Sequence, residues 1–212
     1  MSELRTALDN PYWDAVRDHV KPGLSLWRTP AVDWLAVRND LPRRKELVAL
    51  YSWTVSDPVT VAFVAEHARG RVVDPMAGTG YWAWLLAQLG VDVVAYDLNP
   101  PAVGRTENFH HPDTPAYATV QRATAVESVL LHPDRTLLLS WPPYGFSAEV
   151  VLKAYQGDRV VYMGEMEGGC CADDALFEAF ERDWVEVAER VPVQWDALHD
   201  RVVVYDRRGG TS

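Results

Sequence analysis

Between residues 71 and 205 the sequence alternates short apolar runs with longer helix-patterned stretches, and the connections between them are brief. Short, wholly apolar runs are strands buried on both faces, the condition of a parallel sheet covered by helices. The punctuation agrees. Ser56-Asp57-Pro58 combines a capping residue with an early proline, so a helix starts there and stops at Gly70. Residues 71–74 read as a strand, followed by a glycine-bearing turn, a helix over 81–89 ended by Gly90, and a second strand over 91–97. Residues 99–108 suit a helix whose two prolines fall in its first turn, and 117–123 suit a third strand. A buried strand at 136–140, a helix at 147–156, a strand at 159–163 and an amphipathic helix at 174–184 complete the alternation. The segments 185–192 and 201–205 have no helix between them and close the sheet as a hairpin. The expected fold is therefore α/β: a doubly wound, mainly parallel seven-stranded sheet with an antiparallel C-terminal hairpin.

The first 55 residues differ from this core, which spans 56–208 and leaves a short tail at 209–212. Four of the nine tryptophans (Trp13, Trp27, Trp34 and Trp53) lie there, and Pro11, Pro22, Pro30 and Pro42 divide the segment into short pieces. Tyr12, Trp13, Val16 and Val20 have helical spacing. Such an extension packs its aromatics onto the core or lends some of them, with Tyr51 and Trp53, as a lid over a pocket. Twenty Lys and Arg against thirty Asp and Glu give a formal charge of −10. That charge argues against a nucleic-acid partner, whose phosphates call for a basic footprint. The apolar runs are too short for a membrane span and the N-terminus lacks an apolar leader, so a cytoplasmic protein is expected. Adjacent Cys170 and Cys171 cannot form a cysteine-based metal site, and no metal is expected. The tryptophan content leaves room for a homodimer.

The turn Asp74-Pro75-Met76-Ala77-Gly78-Thr79-Gly80 joins the first strand to the next helix, and Asp97 ends the second strand. Glycines there let backbone approach a ligand closely, and a carboxylate at the second strand tip can accept hydrogen bonds from ribose hydroxyls. Gly78-x-Gly80-x-x-Ala83 also fits the loose dinucleotide pattern. Asp74 stands in front of the turn, where it would repel a pyrophosphate and suit a cationic amino-acid group instead.

These residues resemble the cofactor site of class I S-adenosylmethionine-dependent methyltransferases, in particular the Asp-Pro-Phe-x-Gly-x-Gly variant of amino-methyltransferases. The resemblance covers residues 57–206. It implies S-adenosylmethionine as cofactor, with Asp74, Pro75, Ala77, Gly78 and Gly80 around its methionine part. It implies Asp97, with Leu98 beside it, at the ribose, and the adenine near residues 122–124.

Ser140-Trp141-Pro142-Pro143-Tyr144 follows the fourth strand, whose end borders the ligand crevice of such folds. It resembles the (Asp/Asn/Ser)-Pro-Pro-(Tyr/Phe) turn of enzymes that methylate nitrogen. There a polar side chain and the first proline carbonyl accept hydrogen bonds from the target amine, and the ring stacks on the substrate. Counting back from Tyr144 puts Trp141 at the polar position, where an indole only donates. Ser140, one residue earlier, points to the opposite face if strand alternation holds. Ser140 is counted with the cofactor residues; Trp141, Pro142 and Tyr144 are the acceptor-side candidates. His110 (with His111) sits in a proline-bearing loop that can reach over the cofactor, and an imidazole there can serve as general base. Glu165, in the acidic glycine-rich loop 164–169, can bind a substrate amine.

The expected activity is methyl transfer to a small-molecule acceptor, aromatic or peptidic, with nitrogen favoured over oxygen or carboxylate. Transfer to DNA, RNA or protein is the alternative, with Arg38, Arg43, Arg44 and Lys45 as its basic stripe. A cofactor-binding protein without transfer is the other.

Overall fold

The computed structural model describes residues 8–20 and 34–209; Trp27, Pro22, Pro30 and the tail beyond 209 lie outside them. Seven strands form one sheet: β1 (Arg71–Asp74), β2 (Asp92–Asp97), β3 (Val120–Arg122), β4 (Thr136–Ser140), β5 (Arg159–Gly164), β6 (Trp184–Arg190) and β7 (Arg201–Arg207). Their order is β3-β2-β1-β4-β5-β7-β6. The pairs among β1 to β5 are parallel, whereas β7 runs antiparallel to both β5 and β6. This is the Rossmann-like methyltransferase fold, with the hairpin expected at its C-terminal end.

Strand alternation sorts the core into two layers. Val72, Leu138, Val161 and Met163 meet Val61, Val64, Leu85 and Leu86 of helices α3 (Pro58–His67) and α4 (Tyr81–Gln88) on one face. Val73, Leu137, Leu139 and Tyr162 meet helices α5 (Ala125–Leu131), α6 (Glu149–Ala154) and α7 (Asp174–Asp183) on the other. Asp57 caps α3 by accepting hydrogen bonds from Val59 and Thr60 N–H, and Pro58 occupies the first turn, as the sequence suggests. Among the described residues no helix is long and apolar enough to cross a membrane.

Three expectations fail, each for a local reason. Residues 99–108 are not helical. Asn108 competes for the backbone there: its Oδ1 accepts from His110 and His111 N–H, its Nδ2 donates to the Asn99 carbonyl, and Asp113 accepts from Gly104 N–H. Side chains that satisfy backbone groups in this way replace the helical ladder. The third strand is only three residues long, and α5 follows it, opened by a reciprocal capping box of Thr124 and Glu127. Helix α2 (Trp34–Leu50) runs straight through Pro42 rather than breaking there. A proline removes the bond to the carbonyl four residues back, here that of exposed Arg38, which water can serve.

The extension is tied to the core by its first helix, α1 (Pro11–Val16). Asn10 caps it, donates to the Ser56 carbonyl and accepts from the Tyr81 and Ser56 hydroxyls. Tyr12 and Val16 are fully buried, and Tyr12 stacks on Tyr51 with centroids 5.2 Å apart.

Candidate functional site

The order in which strands are added reverses between β1 and β4, with β2 and β3 on one side and β5 on the other. Ligands of open α/β sheets bind outside the carboxyl ends of the strands at this reversal. The strand register brings Asp74, Asp97, Ser140 and Gly164 to that edge, opposite Ala95, Arg122, Met163 and Arg201 respectively. A cavity of about 410 Å³ opens there, walled by Pro75, Gly78, Asp97, Leu98, Ser140, Trp141 and their neighbours. An annex of about 30 Å³ shares the Trp53, Gly78, His111 and Ser140 walls and adds Asp74, Ala77 and Trp82.

The glycine turn shapes the junction of the two. Gly78 has φ +52° and a Cβ built on it would stand 2.5 Å from His111 Nε2. Its N–H donates to Asp97 Oδ2 at 3.0 Å. Asn99 N–H, at 2.8 Å, and Asn108 Nδ2 reach the other oxygen of Asp97. Burial raises the Asp97 carboxyl above its ordinary range, against the pull of these backbone N–H groups. A carboxylate has about four acceptor sites, so Asp97 retains capacity toward the cavity it lines. Gly80 has a different task. It lies off both cavities with φ +71°, at the start of α4, where a Cβ would meet Val120 Cγ2 at 2.9 Å.

Asp74 is 1% exposed, and burial pushes its carboxyl up to about 7, with the Met76 N–H pulling the other way. Trp82 lines the same annex, and its buried indole N–H has no hydrogen-bond partner among the described residues. Asp74 and Trp82 thus border one small chamber, the first with a buried carboxyl and the second with an unpartnered buried N–H. Sequence reasoning missed Trp82. Its position in the first turn of α4 carries no mark in the sequence.

His111 is held by Nδ1–H donation to the Ala49 carbonyl at 2.9 Å, and burial lowers its pKa. The neutral ring therefore turns an unprotonated Nε2 toward the glycine turn. His110 is exposed, lines the larger cavity and meets Trp53 edge-on at 5.6 Å.

The turn after β4 departs from expectation. Trp141 adopts φ +47°, so the alternation breaks at that residue, and Ser140 and Trp141 both face the cavity. Trp141 stacks on Trp53, with centroids 4.7 Å apart and planes at 16°. Pro142 is buried outside the wall, and its carbonyl accepts from Ala172 N–H at 2.8 Å. That carbonyl has one acceptor site engaged within the chain, and Pro142 does not border the cavity. Tyr144 is 78% exposed, between the lining residues Pro143 and Phe146. Glu165 does not border the cavity. It is 6% exposed, and it accepts from Cys170 N–H at 2.8 Å and His199 N–H at 3.0 Å. It braces its own loop. Cys171 is buried and its thiol is pushed far up by that burial, which leaves it a poor nucleophile.

The chain matches no protein-family model, and no curated protein matches its sequence. Solved structures do share its fold. The 1,6-didemethyltoxoflavin-N1-methyltransferase of Burkholderia thailandensis, with bound 1,6-didemethyltoxoflavin and S-adenosylhomocysteine, is 16% identical with a TM-score of 0.50, over 89% of this chain and 94% of that one. A methyltransferase from Geobacter sulfurreducens is 14% identical with a TM-score of 0.48, over 89% of this chain and 98% of that one. Magnesium protoporphyrin IX methyltransferase from Synechocystis PCC 6803 is 13% identical with a TM-score of 0.46, over 96% and 100%. At 16% identity the likeness to the first of these establishes the architecture and nothing finer.

Proposed function

We propose that this protein is an S-adenosylmethionine-dependent methyltransferase acting on a small-molecule acceptor. One observation carries the reading: the turn around Gly78 separates a ribose-type carboxylate, Asp97, from a chamber holding the buried Asp74 and the orphaned Trp82 N–H. That division matches a nucleoside joined to a free amino acid. A dinucleotide would set a pyrophosphate against Asp74, a repulsive arrangement in a buried site. When bound, S-adenosylmethionine supplies an electrophilic methyl group. The chain's own residues need only hold the ligand, orient an acceptor and exclude water.

Asp74 and Trp82 hold the amino-acid end and Asp97 the diol. Ser140, which borders both cavities, takes the polar position of the turn in place of Trp141. Its hydroxyl can accept a hydrogen bond, so nitrogen stays ahead of oxygen or carboxylate as the methylated atom. His110 stands at the mouth, placed to receive a proton. Trp53 gives the extension a share in the pocket wall, in keeping with a lid role. A protein of this fold was solved with S-adenosylhomocysteine and a small molecule together, in keeping with the reading. Two of the four basic residues of the α2 stripe are engaged within the protein: Arg43 donates to the Ala15 carbonyl, and Arg44 lies 6.0 Å over the Trp53 ring. That weakens a nucleic-acid role.

Calorimetry with S-adenosylhomocysteine and NAD side by side tests the cofactor. The first should bind and the second should not; the reverse would end the reading. Asp97→Ala should weaken S-adenosylhomocysteine roughly 10- to 100-fold, the range for losing one or two charge-assisted hydrogen bonds. Unchanged affinity would move the nucleoside elsewhere. Tyr144→Ala should leave cofactor affinity within about twofold while lowering turnover tenfold or more, since the exposed ring is assigned to the acceptor. Equal losses in both would relocate Tyr144 to the cofactor.

A further inference from the structure

Two unfavourable features meet at one contact behind the cavity wall. Trp141 holds a left-handed backbone, φ +47°, which is strained for a bulky residue. Asp200 is 2% exposed, and only its Oδ2 is engaged, by the Trp141 indole N–H at 3.3 Å. Its Oδ1 is buried and has no hydrogen-bond partner among the described residues. An apolar residue would fill this place with less penalty, because a half-satisfied buried carboxylate is destabilising. What the contact does secure is the angle of Trp141. The indole is pinned at its nitrogen by Asp200 and on its face by Trp53, and the resulting stack is part of the wall.

We propose that Asp200 is a positioning residue: through the Trp141 indole N–H it holds the Trp53–Trp141 stack in place, and the charge on Asp200 sets how firmly that wall is held. The proposal rests on the methyltransferase reading only where it assigns the wall to the acceptor side. A hydrogen bond to an ionised carboxylate is about twice as strong as one to a neutral group, so the ionised form grips the indole more tightly. The groups around Asp200 divide. Burial, the largest influence, raises the Asp200 carboxyl to about 7, and the Glu165 charge acts the same way; the Trp141 indole N–H, the neighbouring Thr54 hydroxyl and the Arg44 charge, from α2, pull it down. Tyr12, Tyr162, Cys170 and Cys171 also feel its charge. A site balanced there responds to small changes near neutrality.

The test uses the full chain without ligand. Two indoles stacked this closely give an exciton couplet in circular dichroism, and the signal missing from Trp141→Phe is that of the pair. In the wild type the couplet should strengthen as pH rises through about 7. Asp200→Asn keeps an acceptor but cannot ionise, and its couplet should be weaker and flat with pH. Turnover in Asp200→Asn should fall about tenfold with S-adenosylhomocysteine affinity within twofold. Trp141→Phe, which keeps a ring but loses the N–H, should show a similar loss, and the double variant should lose little more. This second variant decides the question if Asp200→Asn folds poorly. A wild-type couplet that does not change with pH, or losses that add in the double variant, would overturn the proposal. The dichroism needs neither cofactor nor turnover, so it stands apart from failure of the methyltransferase reading, which would show as absent cofactor binding in the wild type.

Discussion

Gly78→Ala is expected to lower affinity for S-adenosylhomocysteine by about 100-fold or more, equivalent to roughly 3 kcal/mol. The cause is twofold. The backbone at φ +52° lies in the left-handed region, where any side chain costs about 1–2 kcal/mol. The new Cβ would also stand 2.5 Å from His111 Nε2 and 2.9 Å from its Cδ2. His111 cannot swing away freely, since it is buried and its Nδ1 is bonded to the Ala49 carbonyl. The turn must therefore shift, and with it goes the Gly78 N–H bond that aims the Asp97 carboxylate. One methyl group thus disturbs both chambers. His111→Ala added to Gly78→Ala removes the atoms in the way while leaving the backbone strain. It should recover about tenfold of the lost affinity. Calorimetry on the single and double variants, with melting curves as a check on folding, reads this directly. A Gly78→Ala protein that binds like the wild type would place the ligand away from the turn.

What the sequence made legible is what contiguous residues encode. Strands β1, β4, β5 and β7 declared themselves because they are buried on both faces, and the glycine turn because φ > 0 between a strand and a helix demands glycine. Asp97 could be placed because a strand end fixes its position relative to that turn. The annex was illegible at Trp82, which belongs to it only because α4 turns that residue toward the end of β1. His111 over Gly78 and Asp200 behind Trp141 are likewise contacts between residues 33 and 59 positions apart in the chain. The helix expected at 99–108 failed because composition cannot show where a side chain such as Asn108 will take over backbone donors. The helix at 125–131 was readable and overlooked: Thr124-x-x-Glu127 before an apolar run is a start signal. At Trp141 the rule of two failed outright. A single left-handed residue put neighbours on one wall that alternation would have set on opposite faces.

Asp74→Asn is expected to change stability and affinity in opposite directions. The folded chain raises this carboxyl to about 7 from an ordinary 3.8. Below pH 3.8 the folded and unfolded chains both hold the proton. From there to about pH 7 the unfolded chain has released it while the folded chain keeps it. Stability therefore falls as pH rises, by about 1.4 kcal/mol per pH unit for each such group, and levels off above the folded value. Asp200 titrates over the same window, so the wild type should melt at a higher temperature at pH 5.5 than at pH 8. Asp74→Asn should remove its own share of that slope and raise the melting temperature at pH 8. Ligand binding runs the other way. The ammonium of the cofactor's amino-acid end needs an ionised partner, so S-adenosylhomocysteine affinity should climb about tenfold per pH unit up to about pH 7 and then flatten, releasing a proton as it binds below that point. The variant should lose that dependence and bind roughly 10- to 100-fold more weakly at pH 8, the consequence of removing one charged contact. General damage to the fold would lower both quantities together, so opposite signs cannot be mistaken for it. Wild-type affinity that stays level from pH 5.5 to 8 would take Asp74 out of the binding site, and with it the reason for preferring a sulfonium nucleoside to a dinucleotide.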